Sequence, residues 1–243
     1  PEAADGENYR SSSGPIVVGD VIVVAGIVGA AGDGGDIKEA TPEDVRGFDA
    51  RTGRLLWTFH VVPREGELGN DTWGDRSWEW SGDLGSWCCL SADEELGHVY
   101  LPLKTTTNDW YGGHRPGDNL YGESVVAVDV ETGERVWHYQ MVHHDLWDYD
   151  LPAQPTLLTI TVDGREIDAV AASSKTVWPS EDTQRPAGSA KASSGALLPC
   201  VVPMVVTSPP MTRRNALFCD STTITASGRV GSTATSTDPS KSA

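Results

Sequence analysis

Residues 142–155 read VHHDLWDYDLPAQP, and the stretch from His143 to Asp150 holds two histidines, three carboxylates (Asp145, Asp148, Asp150) and Trp147. A carboxylate in such a run can take a proton from a hydroxyl as a general base, ligate a hard cation, or accept the hydrogen bonds of a tight corner. Spacing alone leaves all three open. A second polar run upstream, YGGHRPGDN at 111–119, brings Arg115. The run GDGGD at 32–36 has the look of a calcium loop, but a glycine-rich connection between strands is the plainer reading.

Strands must position these residues. Short apolar runs alternate with turn residues, and no long amphipathic helix is found. Pro15–Val18 and Val21–Ala25 flank the tight-turn dipeptide Gly19-Asp20. Residues 99–103, 124–130, 156–162 and 167–171 continue the pattern, with Asp163-Gly164 as a further hairpin turn. The expected class is all-β. Residues 48–57 (FDARTGRLLW) and 128–137 (VDVETGERVW) share the form Asp-x-x-Thr-Gly-x-x-x-Trp, starting at Asp49 and Asp129. This form predicts a strand, a turn at Thr-Gly, and an outer strand ending in an indole that packs between neighbouring sheets. Such units must stack to bury their faces. Between the repeats lies a long insertion, 61–86, rich in Gly, Trp, Asp and Glu. Insertions of this kind often carry function.

The net charge of −17 argues against nucleic acid or an anionic membrane surface as partner. No apolar run is long enough for a transmembrane segment. The charge is uneven: the first 182 residues carry −21 and the last 61 carry +4, and all nine Trp precede residue 179. From 176 onward the chain is Ser, Thr, Pro and Ala with scattered Arg, which predicts a disordered tail or a shifted reading frame. The start at Pro1 reads as a processed or incomplete N-terminus. Four cysteines are too few for a disulfide scaffold, and the adjacent Cys88 and Cys89 read as thiols, since bridging neighbours strains the peptide.

GPIVVGDVIVV (14–24), DEELGHVYLPL (93–103), YGGHRPGDN (111–119), VWHYQMVHHDLWDYDLPAQPTL (136–157), ITVDGREIDAVA (160–171) and the two Trp repeats occur in an order that resembles the pyrroloquinoline-quinone (PQQ)-dependent dehydrogenases. The resemblance is closest to their glucose-dehydrogenase-like branch. It implies a lead-in at 1–13, a partial quinoprotein β-propeller at 14–175 (about two and a half blades of eight), and an unrelated tail at 176–243. It implies oxidation of a sugar or alcohol hydroxyl with hydride transfer to the quinone, and ubiquinone or a cytochrome c as electron acceptor. The implied location is the periplasm or the periplasmic face of the inner membrane. Asp148, which directly follows Trp147, matches the family's general base, with Asp145 and Asp150 as weaker candidates. Arg115 matches an active-site arginine, Lys175 the residue that touches the quinone oxygens, and Trp87 the indole under the cofactor ring. Ser12 is a candidate contact for a cofactor carboxylate. His143 and His144 are expected to be structural.

The calcium site is where the sequence departs from the family. Asp148 and Thr106 are the expected Ca²⁺ ligands, but KTTTN at 104–108 puts threonines where the family has an asparagine, and only Asp33 or Asp36 follows the second strand. The spacing from Trp137 to Trp178 is also short for the family, as if a strand pair were missing. The chain alone is therefore expected to be inactive. The competing readings are a non-catalytic propeller scaffold and a nonfunctional fragment of a quinoprotein gene.

Overall fold

Val21, Val23 and Ala25 are buried while Ile22 and Val24 are half-exposed, the period-2 burial that makes Val21–Ala25 a strand with one covered face. In the computed structural model, which describes residues 9–10, 13–28, 37–162, 164–175 and 204–207, strands dominate and pair antiparallel throughout. Strands β2 (Ile16–Val18), β3 (Val21–Ala25), β5 (Val45–Asp49) and β6 (Leu55–Phe59) form a four-stranded meander. A second meander contains β7 (Ser91–Asp93), β8 (His98–Pro102), β9 (Ser124–Asp129) and β10 (Arg135–Gln140). A third sheet has three strands, β11 (Thr156–Val162), β12 (Arg165–Ala172) and β13 (Met204–Thr207). The short β1 (Tyr9–Arg10) pairs with β4 (Ile27–Val28). This is the expected partial propeller of two full blades and part of a third. Of the tail, only β13 is described, and it adds to the edge of β12. Ser12, Asp33, Asp36 and the rest of 176–243 lie outside the described residues.

The two repeats fold alike. Asp49 Oδ1 accepts the amides of Arg51 and Thr52 and the Thr52 hydroxyl, and Asp129 Oδ1 accepts the same three groups from Glu131 and Thr132. Each aspartate thus closes its own turn, a local contact that needs no tertiary help. The indole of Trp57 then reaches across to the second meander, where Nε1 donates to Val130 O at 2.8 Å. The ring lies on the next Thr-Gly turn, so closely that a Cβ at Gly133 would come within 2.5 Å of it. Trp57 is a core member, packed with Val23, Val45, Phe59 and Val128 in the larger apolar cluster.

Gly53 and Gly133 occupy equivalent turns with φ of 73° and 72°, but Gly53 has open space around it. Gly53→Ala is expected to cost about 1 kcal/mol from the left-handed backbone alone. Gly133→Ala is expected to cost about 1–3 kcal/mol more, because its methyl must displace a packed indole. Urea midpoints of the two variants check this. Equal losses would mean that the Trp57 contact is not tight.

His138 on β10 packs edge-on against Tyr121, ring centroids 5.4 Å apart. Burial, aided by Arg135, pushes its pKa from 6.5 down to about 4. Between these values the unfolded chain takes up a proton that the folded chain refuses, so stability should fall as pH drops from 6.5 to 4. His138→Phe is expected to flatten that slope. An unchanged Tm profile across this range would show that His138 does not titrate with unfolding.

The insertion at 61–86 carries short 3-10 turns at Asn70–Thr72 and within Gly74–Glu79, the latter kinked at Asp75 and Arg76, whose φ are 54° and 59°. Trp73 is 2% exposed, and the backbone of this segment bonds to the polar run upstream of β9, through Gly74 N to Pro116 O and Asn119 N to Thr72 O. The insertion therefore braces the segment that carries Arg115.

Candidate active site

In an antiparallel meander, the exit of one strand and the entrance of its neighbour share an end of the sheet. Trp87 lies just before β7, Thr105–Asp109 after β8, Glu123 before β9, Asp145–Asp150 after β10, and Lys175 after β12. All five segments gather at that end.

Asp150 is the hub. Its Oδ2 accepts from Trp87 Nε1 at 2.9 Å and from Lys175 Nζ at 2.8 Å, and its Oδ1 accepts the Thr105 amide at 2.9 Å. The Asp150 carbonyl accepts the Lys175 amide at 2.8 Å. One carboxylate thereby ties three segments together, and its side chain is only 7% exposed. Lys175 Nζ also reaches Asp148 Oδ2 at 2.9 Å and stands 5.6 Å from the ring centroid of Trp87. Burial works against the Lys175 charge, but bonds to Asp150 and Asp148 outweigh it and raise the ammonium pKa above 10.5.

Asp148 is the accessible carboxylate of the run, with a side chain 26% exposed. Its backbone sits at φ 56°, in the left-handed region that Asp tolerates better than most side chains. Burial, with the charge of Asp150 beside it, holds its pKa above 3.8 against the pull of Lys175. A raised carboxyl pKa makes a stronger proton acceptor. Asp145 is spent otherwise: it is 3% exposed, and its two oxygens accept the amides of Trp147 and Tyr149. Asp109 has burial as the main cause of a pKa near 6, with Asp83, Asp148 and Asp150 adding to it.

Arg115 is fully buried. Its guanidinium donates to the carbonyls of Thr107, Asn108 and Asp145 and to Asn119 Oδ1, so it clamps the turn after β8 to the HHDLWD segment. Thr106 is 1% exposed, and its hydroxyl donates to Gly82 O. Among the described residues no group of three or more His, Cys, Asp or Glu is placed to hold a metal ion. His144 bonds to Gly117 O through Nδ1, and the exposed His143 lies 3.6 Å from Asp118, both structural positions. Cys88 and Cys89 are free thiols, and burial pushes the Cys88 pKa up to about 11. The sequence reading missed two groups: the hub role of Asp150, and Glu123, which is fully buried with its pKa pushed up to about 10 by burial and then by Asp145, Asp150 and Asp148. Nothing local marks Glu123, since it stands next to an ordinary apolar strand.

Residues 1–178 match the family described as glucose/ethanol/alcohol dehydrogenase, beta-propeller domain, of the PQQ type. The chain is 41% identical over 169 residues to the quinoprotein glucose dehydrogenase of Escherichia coli, covering 69% of this chain and 20% of that protein. It is 35% identical over 184 residues to the quinate/shikimate dehydrogenase (quinone) of Acinetobacter baylyi, covering 70% and 21%. Among solved structures, the quinohemoprotein alcohol dehydrogenase ADHIIG of Pseudomonas putida superposes with a TM-score of 0.60 at 29% identity, covering 71% of this chain and 26% of that one. The chain thus spans about a fifth of the length of these curated relatives. With its Trp-repeat meanders and this match over most of its length, the chain belongs to the β-propeller family of PQQ-dependent glucose, ethanol and alcohol dehydrogenases.

Proposed function

We propose that this segment supplies the base and part of the cofactor floor in a PQQ-dependent enzyme that oxidises the hydroxyl of a sugar or alcohol. The observation that carries the reading is Lys175 Nζ, held between Asp148 and Asp150 beside the face of Trp87. These residues suit a flat, anionic quinone: an indole for its face, an ammonium for its oxygens, and a carboxylate next to the ammonium. When bound, PQQ supplies a quinone carbon that accepts hydride from the substrate carbon. Asp148 takes the substrate hydroxyl proton, and Lys175 stabilises negative charge developing on the quinone oxygens. Asp150 orients Lys175 and Trp87, and with three donors already on its oxygens and its side chain 7% exposed it is less open to substrate than Asp148. Arg115 serves through the loops it clamps, as a positioning residue rather than a catalytic one. Ser12 stays a proposed contact for a cofactor carboxylate.

Asp148 and Thr106 offer a Ca²⁺ ion one carboxylate and one hydroxyl, far short of the roughly six to eight oxygens it takes. The described residues do not make a calcium site by themselves, and no step runs through the metal. The family relationship extends the proposal to the periplasm or its membrane face, and to ubiquinone or a cytochrome c as acceptor. No helix among the described residues is long and apolar enough to cross a membrane. A non-catalytic scaffold would not need Trp87, Asp148 and Lys175 to converge.

The test uses dye reduction with added PQQ, Ca²⁺ and either glucose or short alcohols. A completed propeller that carries this segment is expected to turn over, and its Lys175→Met variant to lose about a hundredfold, as for loss of one oxyanion donor. Residues 1–243 alone are expected to show no turnover, because a cofactor on the propeller axis needs the closed ring. A Lys175→Met enzyme with full activity would sink the assignment.

A further inference from the structure

Thr105, Glu123, Asp145 and Arg115, among others, line a small cavity of about 10 Å³. Three polar atoms in these walls have no hydrogen-bond partner although they are shut away from solvent: Thr105 Oγ1 and both carboxyl oxygens of Glu123. Thr105 is 3% exposed and Glu123 0%. Buried polar groups are nearly always paired, with protein or with an internal water. The Arg115 donors do not meet this need, because they go to backbone carbonyls and Asn119. We propose that the cavity is a binding site for one ordered water, which joins the Glu123 carboxyl to the Thr105 hydroxyl and to Asp145.

The volume and the chemistry agree on the occupant. One water needs a space of roughly 10–15 Å³ and two to four polar partners, so the cavity has room for one and not for an organic ligand. Glu123 is held in the neutral acid form by burial and by the charges of Asp145, Asp150 and Asp148. A neutral carboxyl donates its proton to the water, which in turn donates to Thr105 Oγ1 and to a carboxylate oxygen of Asp145. A cation would instead draw Glu123 into its ionised form and would ask for several more oxygens than this pocket holds. The Thr105 amide already grips Asp150 Oδ1, so the water extends one hydrogen-bonded chain from Lys175 through Asp150 and Thr105 to the buried acid. The cavity and its unpartnered atoms are there whether or not Asp148 is the base.

The test is a crystal structure of residues 1–243 at a resolution that shows ordered water, together with infrared spectra at neutral pH. A single peak within hydrogen-bond reach of Thr105 Oγ1 and a Glu123 oxygen is expected, and so is a protonated-carboxylic-acid band that Glu123→Gln removes. Glu123→Gln should keep the water, because an amide still offers a donor and an acceptor, and Thr105→Val should lose it. A dry cavity, a direct bond from Glu123 to Thr105 or Asp145, or a peak with a cation's coordination sphere would each overturn the proposal. Absence of the acid band would do so too, even if a variant failed to fold.

Discussion

Under the proposed function, Asp148→Asn in a completed propeller that carries this segment is expected to lower turnover by at least about a hundredfold, the lower range for removing a general base. The amide keeps the shape of the carboxylate and can still accept from Lys175, but it cannot take a proton from a hydroxyl. The neighbours are poorly placed to replace it. Asp145 is buried with both oxygens on backbone amides, and Asp150 is nearly buried and holds Trp87, Thr105 and Lys175. Binding of PQQ should change much less, because Trp87 and Lys175 remain. Dye reduction under saturating PQQ, with cofactor affinity followed by fluorescence, separates the two effects. Full activity in this variant would move the base to one of the other two aspartates.

The second large effect is on folding. Trp57→Ala is expected to destabilise the protein by about 3–5 kcal/mol, the range for deleting a large buried aromatic. Trp57 is 7% exposed, and its removal opens a hole between the first two meanders while leaving Val130 O without its donor. Trp57→Phe should recover most of the packing and lose about 1 kcal/mol with the hydrogen bond. Leu55→Ala, on the same strand but 47% exposed, serves as the control and should stay within about 0.5 kcal/mol of wild type. Chemical denaturation followed by far-ultraviolet circular dichroism gives the three values. A Trp57→Ala loss no larger than the control's would mean that the meanders are not joined through this indole.

Local order was legible from the sequence because its causes are local. The hairpin at Gly19-Asp20, the alternation along β3, and the two Asp-x-x-Thr-Gly turns each depend on residues a few positions apart, and each forms where the pattern puts it. The resemblance also pointed to Trp87, Asp148 and Lys175, and the fold brings all three to one end of the sheets. What it could not apportion was labour within the HHDLWDYD run. Asp145, Asp148 and Asp150 are chemically identical in sequence; the folded loop sets Asp145 on the amides of Trp147 and Tyr149, and Asp150 meets Lys175, Thr105 and Trp87 from 25, 45 and 63 positions away. Arg115 entered through the resemblance, as a match to an active-site arginine, and its sequence neighbours say nothing of the three buried carbonyls and the amide that surround it. Glu123 shows the effect most fully, since an acid beside SVVAVD reads as an exposed strand end. Its pKa is raised first by burial and then by Asp145, Asp150 and Asp148 on another loop, and surroundings of that kind exist only once the tertiary structure has closed around it.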